Sequence, residues 1–492
     1  MRRQSRRTSN PALKQVEQQM AHADSYADWL ELAASHDQLT GADLWRRNVE
    51  SRRYDYASIE LRLKKLRRLR KKKDDHGLLF ALNEGIHGNM AGMGRATLYH
   101  RAKCGTKVLI EDYIHEICDA LEYLAPRDFK GIPWADRVEF FQRASHCYGR
   151  SALMLSGGGT LGYFHFGVLK ALIEQRLCPA VISGASAGAF VAAVVGTRTD
   201  EEYLRLFDDH YLARALTANR ENIKIGFGQS DRIDMRVIKR EMANLIPDMT
   251  FLEAFEKTGR SINIAISPAE PRQNSRLLNH IASPNVTVRS AVLASSALPG
   301  VFPPVQLEAR NVHGKVQPYL PSRRWIDGSF SQDLPAKRLA RMYGVNHFIV
   351  SQVMPGLGRE PSLRPGIRKI ASDASVAATK EVVRGSLGLI QRYIAVGPRM
   401  GVAMNALNAL IDQRYTADIN IFPHYGMASL KSLLKMLSLE EMIELIGAGE
   451  RATWPKIPVI SATTSIGRSL DGILHDFEME ELHWLKQIRK AG

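Results

Sequence analysis

Cysteine is scarce in this sequence: the 492 residues include only four, Cys104, Cys118, Cys147 and Cys178. They are scattered, with no C-x-x-C pair and no accompanying histidine pattern, so the sequence predicts neither a disulfide framework nor a zinc site. A reducing compartment fits this use of cysteine best. We expect no metal and no other cofactor.

Long apolar runs are also missing. The best candidate for a membrane span, residues 180–197 (AVISGASAGAFVAAVVGT), is broken by glycines and is short for a bilayer, which requires about 20 apolar residues. The amino terminus, MRRQSRRTSNPALKQ, is basic but has no apolar segment like that of a secretory signal. We therefore expect a cytoplasmic protein that is not secreted and is either soluble or peripherally bound to a membrane.

Acidic residues are too few to balance the basic ones: 51 Asp and Glu stand against 67 Lys and Arg, a formal net charge of +16. This excess indicates an anionic partner, either nucleic acid or a lipid surface. No recognised nucleic-acid motif accompanies it, so the sequence favours a lipid surface over nucleic acid as the partner. Nine of the twelve residues 62–73 are Lys or Arg. A helix there would either lie on an anionic membrane or be a solvated helix packed by its leucines.

The pattern of apolar residues divides the chain into four parts. Residues 1–20 are expected to form a flexible basic tail, and residues 21–147 a helical domain with apolar residues three and four apart. Over residues 148–345, short β-branched runs that end in glycine alternate with helical runs, which predicts an α/β domain with a largely parallel sheet. Residues 346–492 are expected to be mainly helical.

A serine stands at one of these strand–helix junctions, in the stretch VISGASAGAF. Gly184, Ser186 and Gly188 form a G-x-S-x-G motif at the end of a predicted strand, which is the context of a nucleophile elbow. Small flanking residues permit the tight turn, and the following helix N-terminus favours developing negative charge. The alternative is a plain small-residue turn that packs a helix against a sheet.

A glycine-rich loop follows the first predicted strand of the same domain. Three successive glycines, Gly157, Gly158 and Gly159, allow backbone N–H groups to converge on one point, as an oxyanion hole requires. The N–H of Ala187, next to the serine, is a further candidate donor. Gly162 completes a G-x-G-x-x-G pattern, but the acidic residue of a dinucleotide site is missing after the next strand, so that interpretation is weak.

A serine nucleophile needs a base, and two interpretations remain open on pattern alone. The histidines downstream, none in a distinctive loop, are His347, His424, His475 and His483. Asp327, at a predicted strand end in WIDGSFSQDLP, could instead take the serine proton directly in a dyad. Asp-Gly is also a common turn pair, so Asp327 could be an ordinary turn residue. His165, close behind the glycine loop, is expected to pack or hydrogen-bond at the edge of the site rather than to act in catalysis.

The segments GGGTLG, GASAG and DGS, in this order, resemble the patatin-like phospholipase family, and AVLASSALPGVFPPV extends the resemblance. The resemblance implies a three-layer α/β fold with a largely parallel central sheet, flanked here by helical amino- and carboxyl-terminal regions. It also implies that Ser186 is the nucleophile, Asp327 the base, and Gly157 to Gly159 the oxyanion hole. The remaining motif positions are Gly162, Gly184, Gly188 and Gly328.

Further segments, among them DSYADWLELAASHDQLTGADLWRR and GERATWPKIPVI, resemble the plant seed-oil and yeast lipid-droplet triacylglycerol lipases of this family. The resemblance implies a serine acyl hydrolase that acts on acylglycerols at a membrane or lipid-droplet surface. The alternatives are a phospholipase or lysophospholipase with the same dyad, and a non-catalytic protein that binds lipid surfaces.

The glycine loop departs from the family pattern at two positions. Ser156 and Leu161 stand where many members have aspartate and arginine, and an arginine there can pair with phosphate whereas leucine cannot. The hypothesis is therefore that the loop suits a neutral acylglycerol better than a phospholipid. A third departure, Ser329 in the aspartate motif, is small and casts little doubt on the dyad.

Overall fold

A computed structural model describes residues 10–86, 90–217, 235–270, 273–299, 302–328, 334–353, 417–423 and 437–491, without the side chains of residues 235–238, 241 and 482–491. The chain divides into two compact units, Met1–Arg150 together with Trp454–Gly492, and Ser151–Thr453. Within these described ranges, no helix has both the length and the apolar character needed to cross a membrane.

The described helices are α1 (Pro11–Ala21), α2 (Tyr26–Thr40), α3 (Ala42–Arg47), α4 (Tyr56–Lys72), α5 (Asp75–Asn83), α6 (Val108–Leu124), α7 (Trp134–Tyr148), α8 (Tyr163–Glu174), α9 (Ala187–Gly196), α10 (Asp200–Leu204), α11 (Tyr211–Thr217), α12 (Met235–Leu245), α13 (Phe251–Thr258), α14 (Val288–Ser295), α15 (Ala336–Tyr343), α16 (Leu439–Thr453) and α17 (Ile457–Ala491). The described strands are β1 (Arg150–Leu155), β2 (Val181–Gly184), β3 (Ser261–Pro268), β4 (Arg276–Leu278), β5 (Leu307–Arg310), β6 (Val316–Tyr319), β7 (Trp325–Asp327), β8 (Val345–Ser351) and β9 (Ile419–Ile421).

The first unit is a helical bundle around one apolar core. Helix α4 packs on α6, and the distant helix α17 returns to pack on α6 and α7. Phe477 of α17 lies with its ring centroid 4.4 Å from that of Trp134 and 5.5 Å from that of Phe141. Buried Arg137 donates hydrogen bonds to the carbonyl oxygens of Leu124 and Pro126, which satisfies acceptors at the end of α6.

The structure corrects the expectation of a flexible basic tail and bears on the two interpretations of the basic residues 62–73. Residues 11–20 are not a flexible tail but belong to α1, because Asn10 caps the helix through the Ala12 N–H and Pro11 occupies its first turn. Leu63, Leu66 and Leu69 of α4 face the apolar core rather than the surface, which fits the interpretation of a helix packed by its leucines.

In the second unit, seven of the described strands form one mixed sheet. Its strand order is β4-β3-β2-β1-β8-β9, and β7 also pairs with β3. Strands β1, β2 and β3 are mutually parallel, as are β8 and β9, whereas β4 and β7 run antiparallel to β3. Strands β8 and β9 carry the sheet beyond residue 345, where the sequence pattern had placed the end of the α/β domain.

Helices cover both faces of this sheet. Leu339 and Tyr343 of α15 pack into one buried cluster with Ala152 and Met154 of β1. Gly196 of α9 lies against the side chain of Ile262. Successive side chains of a strand point to opposite faces of the sheet, so Ile262 and the residues next to it in β3 lie on different faces. The result is a three-layer α/β arrangement with a largely parallel sheet, as the sequence predicted.

Candidate active site

Strands β2 and β7 lie end to end along one edge of β3. Ile264 of β3 is paired with Gly184 of β2 and also with Leu278 of β4, so these two strands occupy opposite edges. Ile266 is likewise paired with β4 on one side and with Asp327 of β7 on the other. The carboxyl ends of β2 and β7 therefore meet about two residues, or roughly 7 Å, apart along β3.

Ser186 forms the turn that leaves the end of β2. Its φ of 52° and ψ of −121° lie in a region that non-glycine residues rarely adopt. The turn is possible because the glycines on either side permit close backbone packing: a Cβ on Gly184 would collide with the Gly188 carbonyl, and one on Gly188 with the Leu155 carbonyl. The half-buried serine thus stands at the start of α9, as the motif predicted.

A second serine, which sequence reasoning missed, holds the backbone of this turn. The Ser186 N–H donates to Ser295 Oγ at 2.9 Å, and Ser295 Oγ donates to the Ala265 carbonyl at 2.8 Å. Ser295 is fully buried at the end of α14. The only signal for it in the sequence is its place in the segment AVLASSALPG, ahead of the aspartate motif.

The glycine loop lies between the end of β1 and α8. Gly159, with a φ of +56°, begins a short 3₁₀ turn that ends at Gly162. A Cβ on Gly162 would lie 2.5 Å from the Ala187 Cβ, so the loop packs directly against the first residue of α9. Gly158 packs against the side chain of Val353 in the same tight way. Gly157 comes just before this turn. The candidate oxyanion donors, the N–H groups of Gly157 to Gly159 and of Ala187, therefore lie on two chain segments that pack against each other.

His165 is hydrogen-bonded to the residue directly before the glycine loop. Its Nε2 donates to the Ser156 carbonyl at 3.0 Å, and its Nδ1 accepts from Ser351 Oγ at 2.7 Å. Burial lowers its pKa to about 4, so the ring is neutral near pH 7. Both ring nitrogens are thus engaged away from the serine, and the residue hydrogen-bonds at the edge of the site as expected.

Asp327 is completely buried at the end of β7. Its backbone N–H donates to the Ala297 carbonyl at 3.0 Å, in the turn that follows α14. A Cβ on Gly328 would collide with the Ala265 backbone, the same residue that accepts from Ser295. Ser329, the third residue of the motif, lies outside the described residues.

The downstream histidines offer no alternative base among the residues described. His347 Nδ1 lies 3.0 Å from Ser151 Oγ, near the amino ends of β8 and β1. Ser186 follows the carboxyl end of β2, so His347 lies at the opposite ends of the strands from Ser186. His475 is exposed on α17. His424 and the side chain of His483 lie outside the described part of the chain.

The two loop positions that depart from the family pattern are buried. Ser156 Oγ accepts from the Val353 N–H at 3.2 Å, and Leu161 is buried within the 3₁₀ turn. Neighbouring Gln352 was not singled out from the sequence, although a polar residue at the end of a strand is a visible signal. It is 1% exposed, and both atoms of its amide lack a hydrogen-bond partner within the described ranges.

Comparison with known proteins agrees with this architecture. Residues 153–340 match the family described as "Patatin-like phospholipase", and residues 6–146 match "Domain of unknown function (DUF3336)". The protein "Triacylglycerol lipase ptl3" of Schizosaccharomyces pombe is 34% identical over 461 residues, which is 90% of this chain and 94% of that protein. The chain belongs to the patatin-like phospholipase family.

Other similar proteins are longer, or are similar at lower identity. "Triacylglycerol lipase 4" of Saccharomyces cerevisiae is 34% identical over 90% of this chain, which spans only 51% of that protein. Among solved structures, VipD from Legionella pneumophila is similar at 12% identity over 61% of this chain and 67% of that one, with a TM-score of 0.29.

Proposed function

We propose that this protein is a triacylglycerol lipase that releases fatty acids through a Ser186–Asp327 dyad. Membership of the patatin-like family and the two similar proteins that are named triacylglycerol lipases support a lipase-type ester hydrolase. The observation that carries the dyad is the meeting of β2 and β7 along one edge of β3, which brings the serine turn and a buried carboxylate to the same part of the sheet.

In the proposed first step, the Ser186 hydroxyl attacks the ester carbonyl carbon and Asp327 takes its proton. Backbone N–H groups of Gly157 to Gly159 and of Ala187 stabilise the negative oxygen of the tetrahedral intermediate. The C–O bond to glycerol breaks, and Asp327 passes the proton to the leaving alkoxide. An acyl-serine remains.

In the second step, water adds to the acyl carbon while Asp327 accepts one of its protons. The bond to the Ser186 oxygen then breaks, the serine recovers its proton, and the fatty acid leaves. A carboxylate with the ordinary pKa of about 3.9 is a weak base for a hydroxyl. The proposed mechanism therefore depends on the oxyanion donors, which stabilise the charge that develops while the serine proton moves to the completely buried Asp327.

The preference for a neutral acylglycerol is supported by the glycine loop. Buried, apolar Leu161 offers no charge to a phosphate, and the Ser156 hydroxyl is engaged with the Val353 backbone. We expect the enzyme to reach its substrate by peripheral contact with a membrane or a lipid droplet.

The test is fatty-acid release from triolein and from phosphatidylcholine, measured side by side. Ser186→Ala and Asp327→Asn should each lose roughly a thousandfold or more of the activity while remaining folded by thermal unfolding. Ser183→Ala is the matched control, because Ser183 is a buried serine of β2, three residues before Ser186, and its Oγ has no partner in the described region.

Each other outcome has a definite meaning. Wild-type activity in Asp327→Asn would refute the dyad. Faster release from phosphatidylcholine than from triolein would keep the dyad and make the protein a phospholipase. No serine-dependent release from either lipid would leave a non-catalytic protein that binds lipid surfaces.

A further inference from the structure

Helix α4 presents three different faces, and two of them are occupied within the first unit. One face is buried in the apolar core and consists of Ile59, Leu63, Leu66 and Leu69. A second face is held to α6 by ion pairs: Arg70 binds buried Glu116 at 2.8 Å, and Arg67 lies 3.4 Å from Asp112. The basic character of the second face is therefore already neutralised.

The third face is cationic and points to solvent. Its residues follow one another at three- and four-residue spacing and so share one side of the helix: Leu61, Lys64, Lys65, Arg68 and Lys72. Lys64 pairs with Glu60, and Lys65 lies 3.4 Å from Glu84, but both are exposed pairs that contribute little. Arg68 and Lys72 form no ion pair with any described residue.

Two large apolar side chains lie among these cations. Leu61 is 71% exposed, and Phe80, on the adjoining helix α5, is 61% exposed. Lys65 links them, because it follows Leu61 by one helical turn and its Nζ lies 6.0 Å from the centroid of the Phe80 ring. Exposed leucine and phenylalanine within a positive surface match the composition of elements that bind at membrane interfaces.

We propose that this α4–α5 surface, formed by Leu61, Phe80, Lys64, Lys65, Arg68 and Lys72, docks on an anionic phospholipid surface. The cations meet headgroup phosphates, and the two apolar side chains enter the boundary between headgroups and acyl chains. The proposal rests on the proposed function only in that a lipase must meet its substrate at an interface. Charge alone would equally serve nucleic acid, but exposed Leu61 and Phe80 favour a surface with an apolar interior.

The test is binding of the full chain to vesicles of phosphatidylcholine, with and without phosphatidylserine, in a sedimentation assay. Leu61→Asp with Phe80→Asp should weaken binding to the anionic vesicles roughly tenfold or more, because two apolar contacts are lost and like charge is added. The triple variant Lys64→Gln, Lys65→Gln, Arg68→Gln should lose roughly fivefold for each charge removed, and added salt should weaken wild-type binding. Leu44→Asp is the matched control, because Leu44 is an exposed leucine of α3, outside the proposed surface.

The readout is physical binding, so a failed dyad would leave it unchanged. Hydrolysis of a water-soluble short-chain ester, measured on the same variants, reports on the site separately and should remain at the wild-type level. Equal binding of wild type and the Leu61/Phe80 variant would overturn the proposal, as would equal binding to neutral and anionic vesicles. Retention of an RNA homopolymer that displaces the vesicles, and that depends on the same cations, would assign the surface to nucleic acid.

Discussion

The backbone N–H of Ser186 donates to the side-chain oxygen of Ser295, 109 residues further along the chain, at 2.9 Å. Ser295 in turn donates to the Ala265 carbonyl of β3. This two-bond connection ties the strained serine turn to the strand that also pairs with Asp327. Ser295 is therefore a positioning residue: it holds the backbone of the proposed nucleophile and does not itself take part in the proposed chemistry.

Replacing Ser295 by alanine should lower kcat while leaving KM nearly unchanged. The substitution leaves the Ser186 N–H without its partner, and an unpaired buried N–H costs about 1–3 kcal/mol. The serine turn should shift from its native geometry to relieve part of that free-energy cost. We therefore expect kcat to fall roughly tenfold and the protein to remain folded. Steady-state kinetics with a water-soluble ester and a thermal melt would measure both effects.

Ser296→Ala is the matched control. Ser296 is the next residue, and its hydroxyl donates only to the Val292 carbonyl within the same helical segment. Its loss should leave kcat at the wild-type level. If Ser295→Ala and Ser296→Ala reduced kcat equally, the hydrogen bond to Ser186 would have no special role.

The local parts of the site were predictable, whereas its long-range parts were not. The strand–turn–helix around Ser186 and the glycine turn before α8 follow from residues adjacent in sequence, since only small residues permit these backbone paths. The bond from Ser295 joins segments that periodicity does not relate. The same limit applies to β9, which joins the sheet well after its predicted end at residue 345, and to α17, which belongs to the first unit.

Gly188→Ala should abolish activity and destabilise the protein by about 3 kcal/mol or more, as severe overpacking does. The new methyl group would collide with the Leu155 carbonyl, and a backbone atom of a buried strand cannot move aside cheaply. Denaturant unfolding monitored by circular dichroism would measure the free energy of unfolding.

Gly472→Ala provides the opposite case in the same experiment. Gly472 lies within α17, and a Cβ there would meet nothing within 4 Å. Alanine is favoured over glycine in a helix interior, so this variant should be stabilised by about 1 kcal/mol with unchanged activity. A similar loss of stability in both variants would contradict the packing argument at Gly188.

Stability should fall in acid partly because of His165. Its pKa is about 4 in the folded protein against the ordinary value of 6.5, so between these pH values the unfolded chain binds a proton that the folded chain does not. The contribution of neutral His165 is thus complete above about pH 6.5 and decreases as the pH falls toward 4. The loss over this range is up to about 3 kcal/mol.

The measurement is the free energy of unfolding of wild type and His165→Asn between pH 7 and pH 4.5. Burial also lowers the pKa values of His280 and His347, and both proteins retain those groups. The difference between the two pH profiles therefore isolates His165, and we expect the wild type to show the steeper decrease in acid. Parallel profiles would show that the His165 pKa is not lowered by folding.

We expect the buried amide of Gln352 to lower the stability of the folded protein and to contribute to substrate binding. Its amide is buried without a partner among the described residues, next to Val353, whose side chain packs on Gly158 of the glycine loop. Strand order reverses at β1, since β2 and β3 follow it on one side and β8 on the other. The ends of β1 and β8 therefore flank the crevice where open α/β sheets commonly bind ligands.

Gln352→Met conserves the length of the side chain and removes the unpaired amide. It should stabilise the protein by about 1–3 kcal/mol, because it removes polar atoms that lose their hydrogen bonds to water when the protein folds. If the amide binds an ester or hydroxyl oxygen of the substrate, the same variant should raise KM for an acylglycerol severalfold with little change in kcat.

Gln352→Glu tests the same contact with a charge and should lose both stability and activity. A Gln352→Met variant that is stabilised with unchanged KM would make the residue a packing defect, whereas a destabilised variant would reveal that the amide is hydrogen-bonded in the folded protein.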